Sequence, residues 1–249
     1  MIPLEEFDPN PIAVIDPSRY AGKPRLPRRA VACWFGDLVD DVTAGLEPVY
    51  SIPAEHGNHP VHVIDIGGEP VAVFSPGVGA PMAVSALEVV IGLGADKIIG
   101  CGGAGVILPG FDVGHVVVPT GAVRDEGTSY HYAPPDAQVR PHPDAVDAII
   151  AELVAAGVPY ETGLTWTTDA FFRETAAKVA RRREQGCLTV EMEASAFFAV
   201  AAFRGVTYGQ LLYAGDDVSA DTWDHRHWER QHGARRRLFD LACGAVCRL

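Results

Sequence analysis

From Arg29 to the end of the chain, short apolar runs that stop at glycine alternate with longer stretches in which apolar residues recur every three to four positions. That alternation limits the fold more than any other feature, because the two periods belong to strands and helices respectively. The runs at 29–35, 61–66, 71–75, 97–99, 115–119, 163–168 and 209–213 predict strands. The periodic stretches at 81–93, 144–156, 176–184, 194–204 and 228–248 predict helices. Strands alternating with helices predict an α/β layer fold with a largely parallel central sheet. No internal repeat and no interior linker divides the pattern, and 249 residues suit one core. Residues 30–249 therefore read as a single domain, preceded by a Pro- and Arg-rich arm at 1–29 that could pack on a partner subunit.

Twenty Lys and Arg against 32 Asp and Glu leave a formal charge of −12, and so acidic a surface repels nucleic acid and anionic lipid. Neither is an expected partner. No apolar stretch approaches the roughly 18 residues of a membrane span, and the N-terminus carries acids and prolines where a secretory signal is basic and apolar; a cytoplasmic protein is expected. The five cysteines are odd in number and lie mostly among apolar neighbours, which suits buried thiols better than a disulfide framework. On the last predicted helix Leu238, Leu241, Ala242, Ala245 and Leu249 form the apolar stripe, and Arg235–Arg237 read as its solvated face.

Gly100-Cys-Gly102-Gly103-Ala-Gly105 has the spacing of a dinucleotide fingerprint, but Pro109-Gly110 and a further strand follow where that fingerprint must open a helix. A nicotinamide or flavin cofactor is therefore not expected, and the glycines read as close backbone approach to a ligand at a strand end. Ser75-Pro-Gly77-Val-Gly79-Ala-Pro81 is a second strand-to-helix turn with exposed amides. Val190-Glu191-Met192-Glu193 sets two carboxylates before an almost uncharged segment; one could cap a helix, and the pair suits hydroxyl ligands. In Leu211-Leu-Tyr-Ala-Gly-Asp216-Asp217 an apolar strand again ends on acids, a place for a general acid or a helix cap. His56, His59 and His62 repeat every three residues, yet Gly57 and Pro60 exclude a helix, and 224–227 reads as a polar loop; no metal is expected.

Taken in order, these segments resemble the nucleoside phosphorylase and nucleosidase superfamily, through Gly114-His-Val-Val-Val-Pro-Thr-Gly-Ala-Val-Arg124-Asp-Glu-Gly-Thr-Ser-Tyr-His-Tyr132, Thr167-Thr-Asp-Ala-Phe171 and Val190-Glu-Met-Glu-Ala-Ser-Ala196. The resemblance covers about 31–249. It implies a mixed, barrel-like central sheet flanked by helices, a homo-oligomer, a small-molecule nucleoside substrate, and water or phosphate as co-substrate with no cofactor. By position, Glu193 with Met192 and Glu191 would hold the ribose, Phe171 would cover the base, and Gly79, Gly102 and Gly103 would line the substrate. Asp216 would protonate a purine N7, and because the uracil-reading pair after Phe171 is not reproduced, purine is favoured over pyrimidine.

At the nucleophile the sequence departs from the phosphorylases. Their phosphate arginines align with Asp40, Gly100 and Glu55, and each charge reversal beside an anion costs on the order of 1–4 kcal/mol at intermediate dielectric. The nucleosidase pattern instead places Asp41 at the water-orienting acid. The reading is hydrolysis of a nucleoside N-glycosidic bond by Asp216, Glu193 and Asp41. The alternatives are a phosphorylase whose phosphate is held by Arg19, Arg25, Arg28 or Arg29 of the arm, and an inert nucleoside-binding protein.

Overall fold

A computed structural model describes residues 2–20, 23–55 and 57–249. Nine strands, β1 Arg29–Cys33, β2 Tyr50–Ile52, β3 His59–Ile66, β4 Glu69–Phe74, β5 Lys97–Val106, β6 Val116–Asp125, β7 Tyr160–Thr168, β8 Cys187–Glu191 and β9 Thr207–Asp217, form one sheet among the described residues. Its order is β2-β3-β4-β1-β5-β8-β7-β6-β9, and β9 returns to pair with β5, so the last five strands close into a barrel. The helices are α1 Gly36–Val42, α2 Ala80–Gly92, α3 Pro143–Ala155, α4 Ala176–Glu184, α5 Ala194–Arg204 and α6 His232–Cys247. Strands β4, β1, β5 and β9 run parallel, as do β6, β7 and β8, whereas β2–β3, β3–β4, β5–β8 and β6–β9 are antiparallel. The sheet is thus mixed and barrel-like, not largely parallel as strand–helix alternation alone suggests.

Strand β1 shows how the sequence sets the layers. Successive side chains leave opposite faces, so Ala30 and Ala32 pack with α2 and α5, while Val31 and Cys33 pack with α3 and α6. Both faces are covered, which is why the run is continuously apolar. Helix α5 is apolar almost all round and correspondingly buried; it stops at Gly205, whose left-handed φ of 67° closes the C-terminus. Opposite in character, α4 carries Arg181, Arg182 and Arg183 in its last turn, where cations meet the negative end of the helix dipole.

Several details differ from the sequence reading. The glycine segment 100–105 is not a turn after a strand but the second half of β5, paired with β9 from Lys97↔Thr207 to Ala104↔Ala214. Aromatic rings explain the glycines: a Cβ at Gly100 would fall inside contact distance of the Tyr208 hydroxyl, and one at Gly103 would lie 3.1 Å from the Tyr213 ring. Gly100→Ala is therefore expected to cost about 1–3 kcal/mol in urea unfolding, the usual penalty of overpacking. The short elements α1, β2 and β8 carry no periodic signal. Arg235, expected on the solvated face of α6, is only 8% exposed; its guanidinium lies over the Phe35 and Trp228 rings and 3.4 Å from Asp37.

All five cysteines are free. His59 and His62 lie on opposite faces of β3, and His56 falls outside the described residues. The described residues of the arm form two 3-10 turns, Pro3–Glu5 and Pro17–Tyr20, and no strand before Arg29. Among the described residues, no helix is long and apolar enough to cross a membrane.

Candidate active site

The parallel strands β4, β1, β5 and β9 deliver their carboxyl ends to one side of the molecule, and there α2 and α5 begin. Gly79 precedes α2 with φ 94°, a conformation that costs glycine nothing and strains other residues. This turn aims the Gly79 amide at Glu193, which accepts it through Oε1 at 2.5 Å. Glu193 stands at the N-cap of α5 and is 5% exposed, so one carboxyl ties the starts of two helices together.

Glu191, the last residue of β8, plays a different part. Its Oε1 accepts from the Thr167 hydroxyl at 2.6 Å, and its Oε2 accepts from the amides of Glu193 and Ala194 at 2.7 and 2.6 Å. Both oxygens are occupied, and Glu191 is the carboxylate that caps α5. Burial and then the neighbouring Glu191 push the Glu193 carboxyl well above the ordinary range, against the Gly79 and Met192 amides that favour its ionised form. Glu191 is raised as well, chiefly by burial. Met192, between them, is half-buried.

Two further acids surround this pair, neither singled out from the sequence. Glu126, immediately after β6, is buried, accepting from the Ser195 hydroxyl and the Ser129 amide, each at 2.9 Å. Asp169, immediately after β7, accepts from the Gly127 amide at 2.9 Å and is raised by burial. Since β6, β7 and β8 are parallel, their carboxyl ends bring these acids together at one rim of the barrel.

The β8 rim meets β5 where Gly105 pairs with Val190, and Asp216 of β9 comes in beside Gly105. The Trp223 indole N–H donates to Asp216 Oδ2 at 2.6 Å. Glu174, which carries no signal in the sequence, lies close enough to Asp216 to be repelled by it; burial first and that repulsion second push Glu174 up to about 7. Phe171 and Phe172 precede it in the chain, their ring centroids 4.2 Å apart with the planes tilted by 38°, and both are largely exposed. Asp217 is structural: Oδ1 accepts the Ser219 amide at 2.7 Å and Oδ2 pairs with Arg226. Gly102 and Gly103 lie within β5, facing Trp34 and Tyr213 respectively. Trp34 packs on Phe197, and its indole N–H is buried without a partner.

Asp41 is not joined to this group. It is exposed on α1, whose Leu38, Val39 and Val42 pack into the α3/α6 layer, while Glu193 and Gly79 border the α2/α5 layer on the other face. Nor do Arg25, Arg28 and Arg29 of the arm reach it. Arg28 and Arg29 pair with Asp96 and Glu69 at the amino ends of the strands, and Arg25 lies against Gly94 beyond the C-terminus of α2. Thirteen residues of α2 put that end about 20 Å from Gly79. Among the described residues no lysine or arginine pairs with Glu191 or Glu193.

Residues 28–246 match the family model of the phosphorylase superfamily. The chain belongs to the phosphorylase superfamily. It is an enzyme of that superfamily's nucleoside-acting kind, and its mixed barrel is the superfamily fold. A guanosine phosphorylase of Halorubrum lacusprofundi is 28% identical over 89% of this chain and 87% of its own length. A uridine phosphorylase of Thermococcus kodakarensis is 30% identical over 63% of this chain and 61% of its own. In three dimensions a uridine phosphorylase from Vibrio fischeri, solved with 6-hydroxy-1-naphthoic acid, superposes with TM-score 0.76 at 23% identity, covering 93% of this chain and 99% of its own.

Proposed function

We propose that this superfamily member cleaves the N-glycosidic bond of a purine nucleoside with inorganic phosphate as the acceptor. The near full-length similarity to a guanosine phosphorylase is the observation that carries this reading. The exposed position of Asp41 supports it, because hydrolysis needs that residue as the water-orienting base. Phosphorolysis therefore replaces hydrolysis as the preferred reading.

In this reading Glu193 accepts from the ribose hydroxyls and stabilises the positive charge that grows on the sugar as the C–N bond breaks. Phe171 covers the base. Asp216 and Glu174 face it together, and one proton held between the two carboxyls is donated toward N7 or O6 of a 6-oxopurine, making the base a better leaving group. Phosphate attacks the anomeric carbon from the side of the 77–80 turn and the Gly102–Gly103 strand, held by backbone amides rather than by the arginines other members use. The places of Arg25 at the far end of α2 and of Arg28 and Arg29 at the amino ends of the strands speak against their holding this phosphate within one subunit.

A second reading, hydrolysis, keeps one observation in its favour: the absence of any lysine or arginine paired at the Glu191–Glu193 end among the described residues. Guanosine, inosine, adenosine and uridine should be incubated with the enzyme in phosphate-free buffer and in phosphate. The expected result is activity that rises from near zero with phosphate, ribose 1-phosphate as the sugar product, and Asp41→Asn within about twofold of the parent, as for an exposed surface change. Free ribose at a phosphate-independent rate, lost in Asp41→Asn, would restore the hydrolytic reading.

A further inference from the structure

The segment after β9 folds back on the end of that strand and is anchored there. Asp217 and Asp224 form a backbone bridge, and Arg226 reaches both the Asp217 carboxylate and the Phe111 carbonyl. Arg226 and His227 both take a positive φ of 48°, which non-glycine residues adopt sparingly. This turn gathers three donors from alternate positions: His225, His227 and Glu229 each offer a ligand atom, all within 4.8 Å of one another.

An ordinary ion pair does not account for the arrangement. His225 Nδ1 lies 3.5 Å from Glu229 Oε2, yet that oxygen is buried without a hydrogen-bond partner. The other carboxylate oxygen lies 3.6 Å from Arg230 Nε, too long for a firm hydrogen bond. His227 contributes nothing to a His225–Glu229 pair, although its ring stands 5.8 Å from that of His225. Two imidazoles and one carboxylate are a recurring donor set for zinc in sites that keep a further position open, and a chain of net charge −12 concentrates cations around itself.

We propose that His225, His227 and Glu229 bind a divalent transition metal ion of the zinc class, with water completing the coordination. The site is separate from the residues assigned to the nucleoside and does not rest on that assignment. It adjoins them through one contact: the His225 ring meets Trp223 edge-on, 4.9 Å between centroids, and Trp223 is the donor to Asp216. A bound ion would fix the segment that carries this indole.

The test uses the full-length chain freed of metal by chelation, titrated with Zn²⁺ against a fluorescent competing chelator and separately with Co²⁺ by visible absorption. The expected result is one ion per chain at micromolar affinity or tighter, with cobalt bands that lack thiolate charge transfer. Affinity should fall at least about tenfold in His227→Ala and in Glu229→Gln and stay unchanged in Cys247→Ser, which controls for the one partly exposed thiol. His227 is exposed, so His227→Ala should melt with the parent and its loss of binding reports the ligand alone. Absence of binding tighter than millimolar, or binding that survives in His227→Ala, overturns the proposal.

Discussion

Glu193→Gln is expected to lower kcat/KM for the preferred nucleoside by about 10²–10³ and, above neutral pH, to melt at a higher temperature than the parent. The two effects have one cause. Gln keeps an oxygen for the Gly79 amide, so the link between α2 and α5 survives, but it cannot ionise, whereas the positive charge developing on the sugar favours the ionised form of the Glu193 carboxyl. Burial and Glu191 raise the Glu193 carboxyl in the folded state. At low pH the group is protonated both folded and unfolded, and it carries no penalty. As pH rises through the ordinary carboxylate range the unfolded chain ionises first, and folded stability declines until the raised folded value is passed. The parent should therefore lose stability from about pH 4 to past neutrality, and Glu193→Gln should lack that component of the slope. Each tenfold difference in proton affinity between the folded and unfolded chain corresponds to about 1.4 kcal/mol. Thermal melts across pH, read beside kinetics, check both halves; a variant that is both slower and less stable at pH 8 would reduce Glu193 to a structural tie.

The second large effect is expected at the other end of the substrate. Asp216→Asn should slow turnover of a purine nucleoside by about 10²–10⁴, with a much smaller loss on a riboside whose leaving group needs no proton. Glu174 makes the same site sensitive to pH. Below about 7 its carboxyl is protonated and can donate; above that value it is ionised beside Asp216 and the donor is gone. Activity should fall as pH rises through about 7, and Glu174→Gln, a permanent donor of similar shape, should flatten that limb. An unchanged pH profile in Glu174→Gln would remove Glu174 from base recognition.

How much of this is legible in the sequence depends on the distance over which each feature is determined. The helices are readable because a 3.6-residue period is local: the pattern at 81–93 corresponds to Ala80–Gly92, and that at 194–204 to Ala194–Arg204. Barrel closure comes only from the family resemblance, since strand–helix alternation says nothing of β9 returning to β5. The second half of β5 is hidden because glycine reads as a turn wherever it stands; its reason here is ring packing by Tyr208 and Tyr213, more than a hundred residues away.

At the site, Glu191 and Glu193 are visible as acids in apolar surroundings, but their division into a helix cap and a tie between α2 and α5 depends on Thr167 and Gly79. Glu174 gives no signal, because what marks it is Asp216, 42 positions on. Asp41 is placed by register alone, and register does not say which face of the sheet a short helix will cover. Arg235 misleads because a run of three arginines looks solvated as a unit, whereas a helix turns roughly 100° per residue and swings one of them inward.

Closing the last five strands into a ring has a consequence for how the molecule behaves in company. An open sheet offers unpaired backbone donors and acceptors along both margins, an invitation to strand addition by other chains. Here β9 spends its outer side on β5, leaving β2 as the sheet's single terminal strand among the described residues. That margin is three residues long, Tyr50–Ile52, with Pro48 and Pro53 close on either side. Proline lacks the amide that a docking strand would bond, so a nine-stranded sheet presents only a stub to neighbours, and self-association is left to helix and loop surfaces rather than to continuous sheets.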